Sequence, residues 1–374
     1  MNIILLIAIF ISAFQFVLLV NKRAKSFPDI ILTFWMFVAA IHLVSYYLNY
    51  LGYWEIYPHL VGTTVPFPFL YGPLLYLYIL YSLRSEHKLR RRDYLHFFPS
   101  ILSLLYMCRF YFFYSEDEKR LVDSGEINDF NLFIKIQLIA FVISAISYST
   151  LSYKLLNNYK KLIDTNFSND EHINLYWLKG FIWGVATIFF TAITITISRD
   201  FLGVDYTFNP DYIIYSMLSL AILLLGYYGI RHQNIFVDNV IVNLEEDLTG
   251  SDYKNSGLKD VEAKNKYKSL LLLMKNDKPY LEPKLTLHTL AQLLEISPNH
   301  LSQIINQYDQ QNFNDFVNKY RVDEFIKKAS VNANYSFLAN ALDSGFNSKS
   351  TFNTVFKKIK GTTPSQYMAK LNNK

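Results

Sequence analysis

Hydrophobic positions run in long unbroken blocks through the first 230 residues and in short periodic stripes after them. Six stretches contain no Asp, Glu, Lys or Arg: 1–21, 30–54, 56–83, 136–153, 180–198 and 212–230. Each has at least 18 residues, and about 20 apolar residues rising 1.5 Å apiece cross a bilayer core. A seventh, 94–114, is interrupted by Arg109. A soluble helical core would show polar positions at a 3.6-residue period, whereas these blocks are apolar or aromatic on most faces. The pattern predicts spans over 2–20, 29–50, 66–83, 94–114, 133–153, 177–197 and 211–230. The expected fold class is all-α: a seven-helix transmembrane bundle over 1–230 and a separate helical domain behind it.

Charge orients the bundle. The gaps after the first, third and fifth blocks hold 11 Lys/Arg, including Lys22, Arg23, Lys25, Arg90-Arg91-Arg92 and Lys160-Lys161. The alternate gaps hold three: Lys119, Arg120 and Arg199. Cations concentrate on the cytoplasmic side, so the N-terminus is expected outside and everything after Arg231 in the cytoplasm. The same asymmetry requires 94–114 to cross, since otherwise the basic 84–93 gap and the acid-rich 115–131 gap would share one side. No basic segment precedes the first block and no small-residue cleavage site follows it, so it reads as an anchor rather than a signal peptide. Neither end carries a lipidation motif.

After residue 230 the text changes. Val237, Val240, Ile241, Leu244 and Leu248 fall at helical spacing, predicting an amphipathic helix over 235–248. With the polar linker 249–257 it forms a connector, 231–261. Two heptads are too few to specify a coiled coil, which leaves homodimerisation through it open. The domain 262–374 contains two further patterns. Over 285–307, Leu287, Leu290, Ala291 and Leu294 stripe one helix and Leu301, Ile304 and Ile305 a second. Between them Ser297 is an N-cap with Pro298 in the first helical position. Over 336–360, Phe337, Leu338, Ala341 and Leu342 stripe one helix and Gly345 supplies a turn. Ser348 then caps a helix whose expected buried side is Phe352, Val355 and Phe356. Residues 312–328 form a longer amphipathic helix between the two. Helix pairs joined by tight turns are helix-turn-helix units.

Composition narrows the chemistry. At 51% hydrophobic and 18% charged, the chain is not disordered. The single cysteine, Cys108, excludes a disulfide framework and a thiolate zinc site. Residues 284–374 carry 11 Lys/Arg against 6 Asp/Glu, a surplus equal to the +5 of the whole chain. A small basic domain behind an apolar body calls for an anionic partner, foremost double-stranded DNA. Side chains outside the stripes suit that role: Asn299, His300, Ser302, Gln303 and Asn306 in the first pattern, Lys349, Ser350, Thr351, Asn353 and Thr354 in the second. Lys357, Lys358 and Lys360 crowd the C-terminal end of the last helix, where phosphates would pass.

These residues carry a resemblance. The stretch from about 270 to 370 resembles the AraC/XylS family of bacterial transcription regulators, most specifically over 343–367. There Gly345-Phe346, Phe356-Lys357-Lys358 and Gly361-Thr362-Thr363-Pro364 stand in the family's order and spacing. The resemblance implies two recognition helices in successive major-groove turns, about 34 Å apart. It implies base contacts from Asn299, Ser302, Gln303, Lys349, Ser350 and Thr354, a structural role for Arg321, and RNA polymerase as a further partner. Two positions depart from the family: Asn340 stands where it keeps an apolar residue, and Met368 where an Arg often follows the Tyr. The layout as a whole is similar to membrane-embedded regulators of this type, which would place the chain in a bacterial inner membrane as a one-component sensor of an unidentified ligand.

Within the spans, His42, Arg109 and Lys135 are the ionisable candidates for sensing. The competing readings are a histidine hydrogen-bonded to a neighbouring helix, and cations that snorkel to the outer interface. The aromatic cluster Tyr46, Tyr47, Tyr50, Tyr53, Trp54 and Tyr57 fits a pocket rim or an interfacial belt. Arg90-Arg91-Arg92 fits membrane lipid headgroups or topology alone. No phosphate-cradling glycine loop, His-Glu-x-x-His or catalytic block is present. No catalytic residue, metal site or cofactor is therefore expected. The alternative to a regulator is a membrane receptor or transporter whose tail is a protein-docking module.

Overall fold

The computed structural model describes residues 2–83, 88–168, 176–200, 202–231, 260–331 and 335–372. The amphipathic helix and linker expected over 235–257 lie outside these. Among the described residues every regular element is helical, and the only extended pairing is one antiparallel bridge between Phe167 and Thr286. The chain divides into two compact units, Met1–Asn157 with Leu175–Leu244, and Asn158–Asn174 with Glu245–Lys374.

The first unit contains α1 (Asn2–Asn21), α2 (Phe27–Tyr50), α3 (Pro68–Ser82), α4 (Phe98–Phe113), α5 (Asn131–Asn166), α6 (Tyr176–Asp200) and α7 (Asp211–Arg231). The last residues of α5, from Asn158 on, belong to the second unit. Six of these helices are long and apolar enough to cross a membrane. The interrupted block 94–114 is among them, because a 3₁₀ turn over Arg91–Phe97 runs into α4 and extends it to 23 residues. The exception is the block predicted over 66–83. Residues 61–67 are spent in turns, and α3 begins only at Pro68, whose missing N–H is harmless in the first helical turn. The helix is left with 15 residues, roughly 22 Å. It is also the best buried, with 12 of those residues inside the unit.

Local chemistry starts and joins these helices. Ser26 and Asp29 form a reciprocal capping box at the start of α2, and Lys22 reaches the same carboxylate at 2.6 Å. Gly226 of α7 faces α1 so closely that an added Cβ would lie 1.4 Å from the Gln15 side chain. A larger residue there would require the Gln15 side chain to move aside.

The second unit contains α8 (Asp260–Asn276), α9 (Leu287–Leu293), α10 (Pro298–Asp309), α11 (Phe313–Val331), α12 (Phe337–Leu342), α13 (Lys349–Lys360) and α14 (Pro364–Asn372). It has two small cores, both fed by α11. Phe313, Phe316 and Val317 join Leu290, Ala291, Leu301 and Ile305 in the first. Val322 and Phe325 join Ala341, Phe346, Phe352 and Phe356 in the second. One long helix thus fixes two short helix pairs by burying its own apolar residues in each.

Candidate nucleic-acid interface

The first pair is α9 and α10. Thr286 caps α9 through the Thr289 N–H at 3.1 Å, and Ser297 caps α10 through the His300 N–H at 3.2 Å. Both expected stripes are buried: Leu287, Leu290, Ala291 and Leu294 on one side, Leu301, Ile304 and Ile305 on the other. Burial of that face turns the opposite one outward. Asn299, Gln303 and Asn306 are exposed, and His300 and Ser302 half-buried. The turn between the helices places Glu295 at φ +54° without a glycine.

The second pair is α12 and α13. Ser336 caps α12 through the Ala339 N–H, and Ser348 caps α13 through the Thr351 N–H. Phe352 and Phe356 are buried and Val355 half-buried, while Lys349, Ser350, Asn353 and Thr354 are exposed and Thr351 half-buried. The stripe expected on α12 is corrected. Asn340 and Ala341 form its buried face, whereas Phe337, Leu338 and Leu342 are 38%, 38% and 43% exposed. With six residues α12 has room for one inward turn, and that turn is centred on Ala341. Phe337 still reaches the core at its edge, its ring 6.0 Å from Phe325.

The two departures from the AraC pattern both point inward. Met368 is 3% exposed and so adds to the apolar interior. Asn340 is 2% exposed and its side-chain nitrogen has no hydrogen-bond partner. A buried amide left so costs about 1–3 kcal/mol.

The three lysines of α13 differ in setting. Lys358 pairs with Asp315 at 2.5 Å and Lys360 with Asp323 at 2.9 Å, both acids lying on α11. Lys357 is exposed, and among the described residues no acidic side chain pairs with it. Lys357 therefore presents the least compensated charge.

Arg321 sits midway along α11, fully buried. Its Nε donates to the Tyr280 carbonyl at 2.8 Å and Nη2 to the Glu282 carbonyl at 2.8 Å. Nη1 donates to the Ser168 carbonyl and Nη2 to the Ser168 hydroxyl, each at 3.0 Å. Burial pushes the guanidinium down to about 10, with Glu282 opposing, so it stays charged at neutral pH. No pattern in the sequence signals that residues 167 and 168, far off in the chain, complete this site. Phe167 bridges Thr286 and accepts from the Asn314 amide at 3.0 Å, and the Ser168 hydroxyl donates to the Leu285 carbonyl at 2.7 Å. Nearby, burial works against the Glu324 charge, but bonds from Lys278 at 3.0 Å and Tyr280 at 3.2 Å hold its pKa below the usual carboxylate range.

Gly345 explains part of the Gly345-Phe346 motif. Its φ is +93°, and an added Cβ would lie 2.3 Å from the Tyr280 carbonyl oxygen and 2.9 Å from Arg321 Nε. The turn of the second pair is pressed against the carbonyl that Arg321 holds.

A family model described as a helix-turn-helix domain matches residues 290–370. That stretch is similar to helix-turn-helix domains of the AraC type, which bind DNA. Such domains serve transcription regulators and are not catalytic. The match spans about a fifth of the chain. Among curated proteins and among solved structures nothing matches.

The candidates in the first unit have separate surroundings. His42 is buried, with Nδ1 2.9 Å from the Tyr71 hydroxyl and Nε2 3.3 Å from that of Tyr215, so it is tied to two neighbouring helices. Arg109 lies 3.9 Å from Asp129 with both side chains exposed, and Lys135 is exposed. The aromatic cluster also divides. Tyr46 stacks on Tyr215 at 3.4 Å, Tyr50 meets Tyr212 edge-on, and Trp54 packs beside Val61, Met107 and Phe110.

Proposed function

We propose that the chain is a membrane-embedded, sequence-specific transcription regulator, with a seven-helix part that senses a signal and a cytoplasmic AraC-type domain that binds promoter DNA. The observation that carries this reading is an AraC-type domain whose two short, capped helices turn polar faces outward, on the same chain as six helices of membrane-spanning length. In this reading α10 reads bases through Asn299, His300, Ser302, Gln303 and Asn306. Helix α13 does so through Lys349, Ser350, Thr351, Asn353 and Thr354, and Lys357, Lys358 and Lys360 meet phosphates. The cation asymmetry supports an outside N-terminus and a count of seven, with α3 as the central, shortest span.

A ligand acts on DNA binding only through unequal affinity for two conformations of the membrane part. The end of α5 is a second route for that difference, beside the connector 231–261. The helix is continuous from the first unit into the second, and the residues directly after it supply two of the hydrogen bonds on Arg321.

The test selects bound DNA from a random pool with the full chain in lipid nanodiscs at near-physiological salt, where non-specific binding is weak. The expected outcome is an enriched motif of two half-elements one helical turn apart. Folded protein that enriches nothing would replace the regulator with the docking-module reading.

A further inference from the structure

The first unit holds a partly open cavity of about 330 Å³ between α2, α3, α5, α6 and α7. It is long and thin. Its wall extends along α6 from Phe181 to Thr196 and along α7 from Asp211 to Leu225, a run of roughly 20 Å on each helix at 1.5 Å per residue. A shape this long suits one extended hydrocarbon chain. Trp35, Phe181, Val185, Phe189 and Leu225 make the deep part apolar. Trp35, Val185, Phe189 and Leu225 are buried, whereas Phe141, Phe181 and Ile188 are half-buried and Ile134 is exposed, so the slot is deep on one side and open on the other.

The other end is polar but carries no net charge. Asp211 contributes the only carboxylate in the wall, and Arg199 stands 3.3 Å from it. Between that pair and the apolar slot lies the chain Tyr71–His42–Tyr215, all three lining the cavity. A neutral imidazole donates from one ring nitrogen and accepts at the other. One phenol therefore accepts from His42 and keeps its own hydrogen to donate. The other donates to His42 and keeps its lone pairs. The triad thus has one donor and one acceptor left over, which is what a hydroxyl group needs.

We propose that this cavity binds a single-chain amphiphile with an uncharged, hydroxyl-bearing head. The hydrocarbon chain occupies the slot toward Leu225, and the head bonds at Tyr71–His42–Tyr215. The site deepens the sensor reading by naming the class of molecule sensed, and rests on that reading for its purpose. A free fatty acid fits less well, because an ionised carboxylate only accepts hydrogen bonds and leaves the acceptor of the triad unmet.

The experiment measures equilibrium binding of radiolabelled monolauroylglycerol to the full chain in phosphatidylcholine nanodiscs, with lauric acid and dilauroylglycerol as competitors. Saturable binding is expected, with lauric acid competing at least tenfold more weakly and dilauroylglycerol failing to compete. Ala221→Phe, which fills the slot, should lower affinity at least tenfold. Tyr215→Phe keeps the ring and removes only one hydroxyl, so it keeps the test open if the first variant does not fold; a loss of several-fold is expected. Uptake that rises with lipid content without saturating overturns the site, as does affinity unmoved by Tyr215→Phe. DNA selection is read separately on the same preparation. Enrichment of a motif without amphiphile binding removes this site and leaves the regulator; binding without enrichment does the reverse.

Discussion

The two helix pairs of the C-terminal unit do the same architectural job with different chemistry. The first turns a corner at Glu295, with φ +54° and an ordinary side chain; the second turns at Gly345, with φ +93°. The difference is what lies against the turn. A Cβ on Gly345 would strike the Tyr280 carbonyl, and Tyr280 is itself held by Arg321. The first pair presents uncharged side chains on α10 over a fully apolar stripe. The second presents lysines on α13 over a helix that buries an unpartnered amide. The first pair therefore carries the backbone strain, and the second is the more electrostatic and the one that buries an unsatisfied polar group.

The largest expected effect comes from the turns. Gly345→Ala should destabilise the unit by about 2–4 kcal/mol, combining backbone strain with a backbone clash. Glu295→Gly should stay within about 1 kcal/mol of the parent, since relief of the left-handed strain offsets the added chain entropy. Thermal unfolding of both variants checks this, and equal losses would erase the contrast.

Next come the outward faces. Gln303→Ala and Lys349→Ala should each weaken specific sites by about 1–3 kcal/mol and relax preference at different half-elements. Titration against single-base variants of the selected motif reads this. Were Lys349→Ala to weaken all sequences equally, α13 would hold the backbone and α10 alone would read bases.

A smaller effect, of opposite sign, is expected from Asn340→Leu. Replacing an unsatisfied amide with an apolar group of similar size should raise stability by about 1 kcal/mol. A drop in melting temperature would mean that the amide finds a partner after all. The finest contrast lies among the lysines. Lys357→Ala should lower affinity for all sequences and reduce the salt slope by about 1. Lys358→Ala and Lys360→Ala should do less, because Asp315 and Asp323 already offset part of each charge.

Much of the C-terminal unit was legible in the sequence because it depends on neighbours in the chain. Caps at Ser297 and Ser348 need only the next three residues, and both form. The stripe on α10 needs only helical periodicity. On α12 periodicity failed, since six residues offer too few positions to say which turn faces inward. Leu338 and Leu342 went out and Asn340 went in. The helix expected over 66–83 forms over 68–82, shorter than the charge-free block 56–83 because residues 61–67 are spent in turns.

By itself the sequence determined the features that local rules dictate: apolar blocks long enough for membrane helices, the sided distribution of cations, and two capped helix pairs with polar outer faces. Only the tertiary structure decided which distant groups meet. Ser168 joins Arg321 across 153 positions, the Tyr280 carbonyl forbids a side chain at residue 345, and His42 is shared by Tyr71 and Tyr215 in the wall of a cavity. The reason is physical. Caps and amphipathic periods are settled within a helical turn or two, but a buried charge or a cavity is set by every helix packed around it, and no single segment of the chain encodes that arrangement.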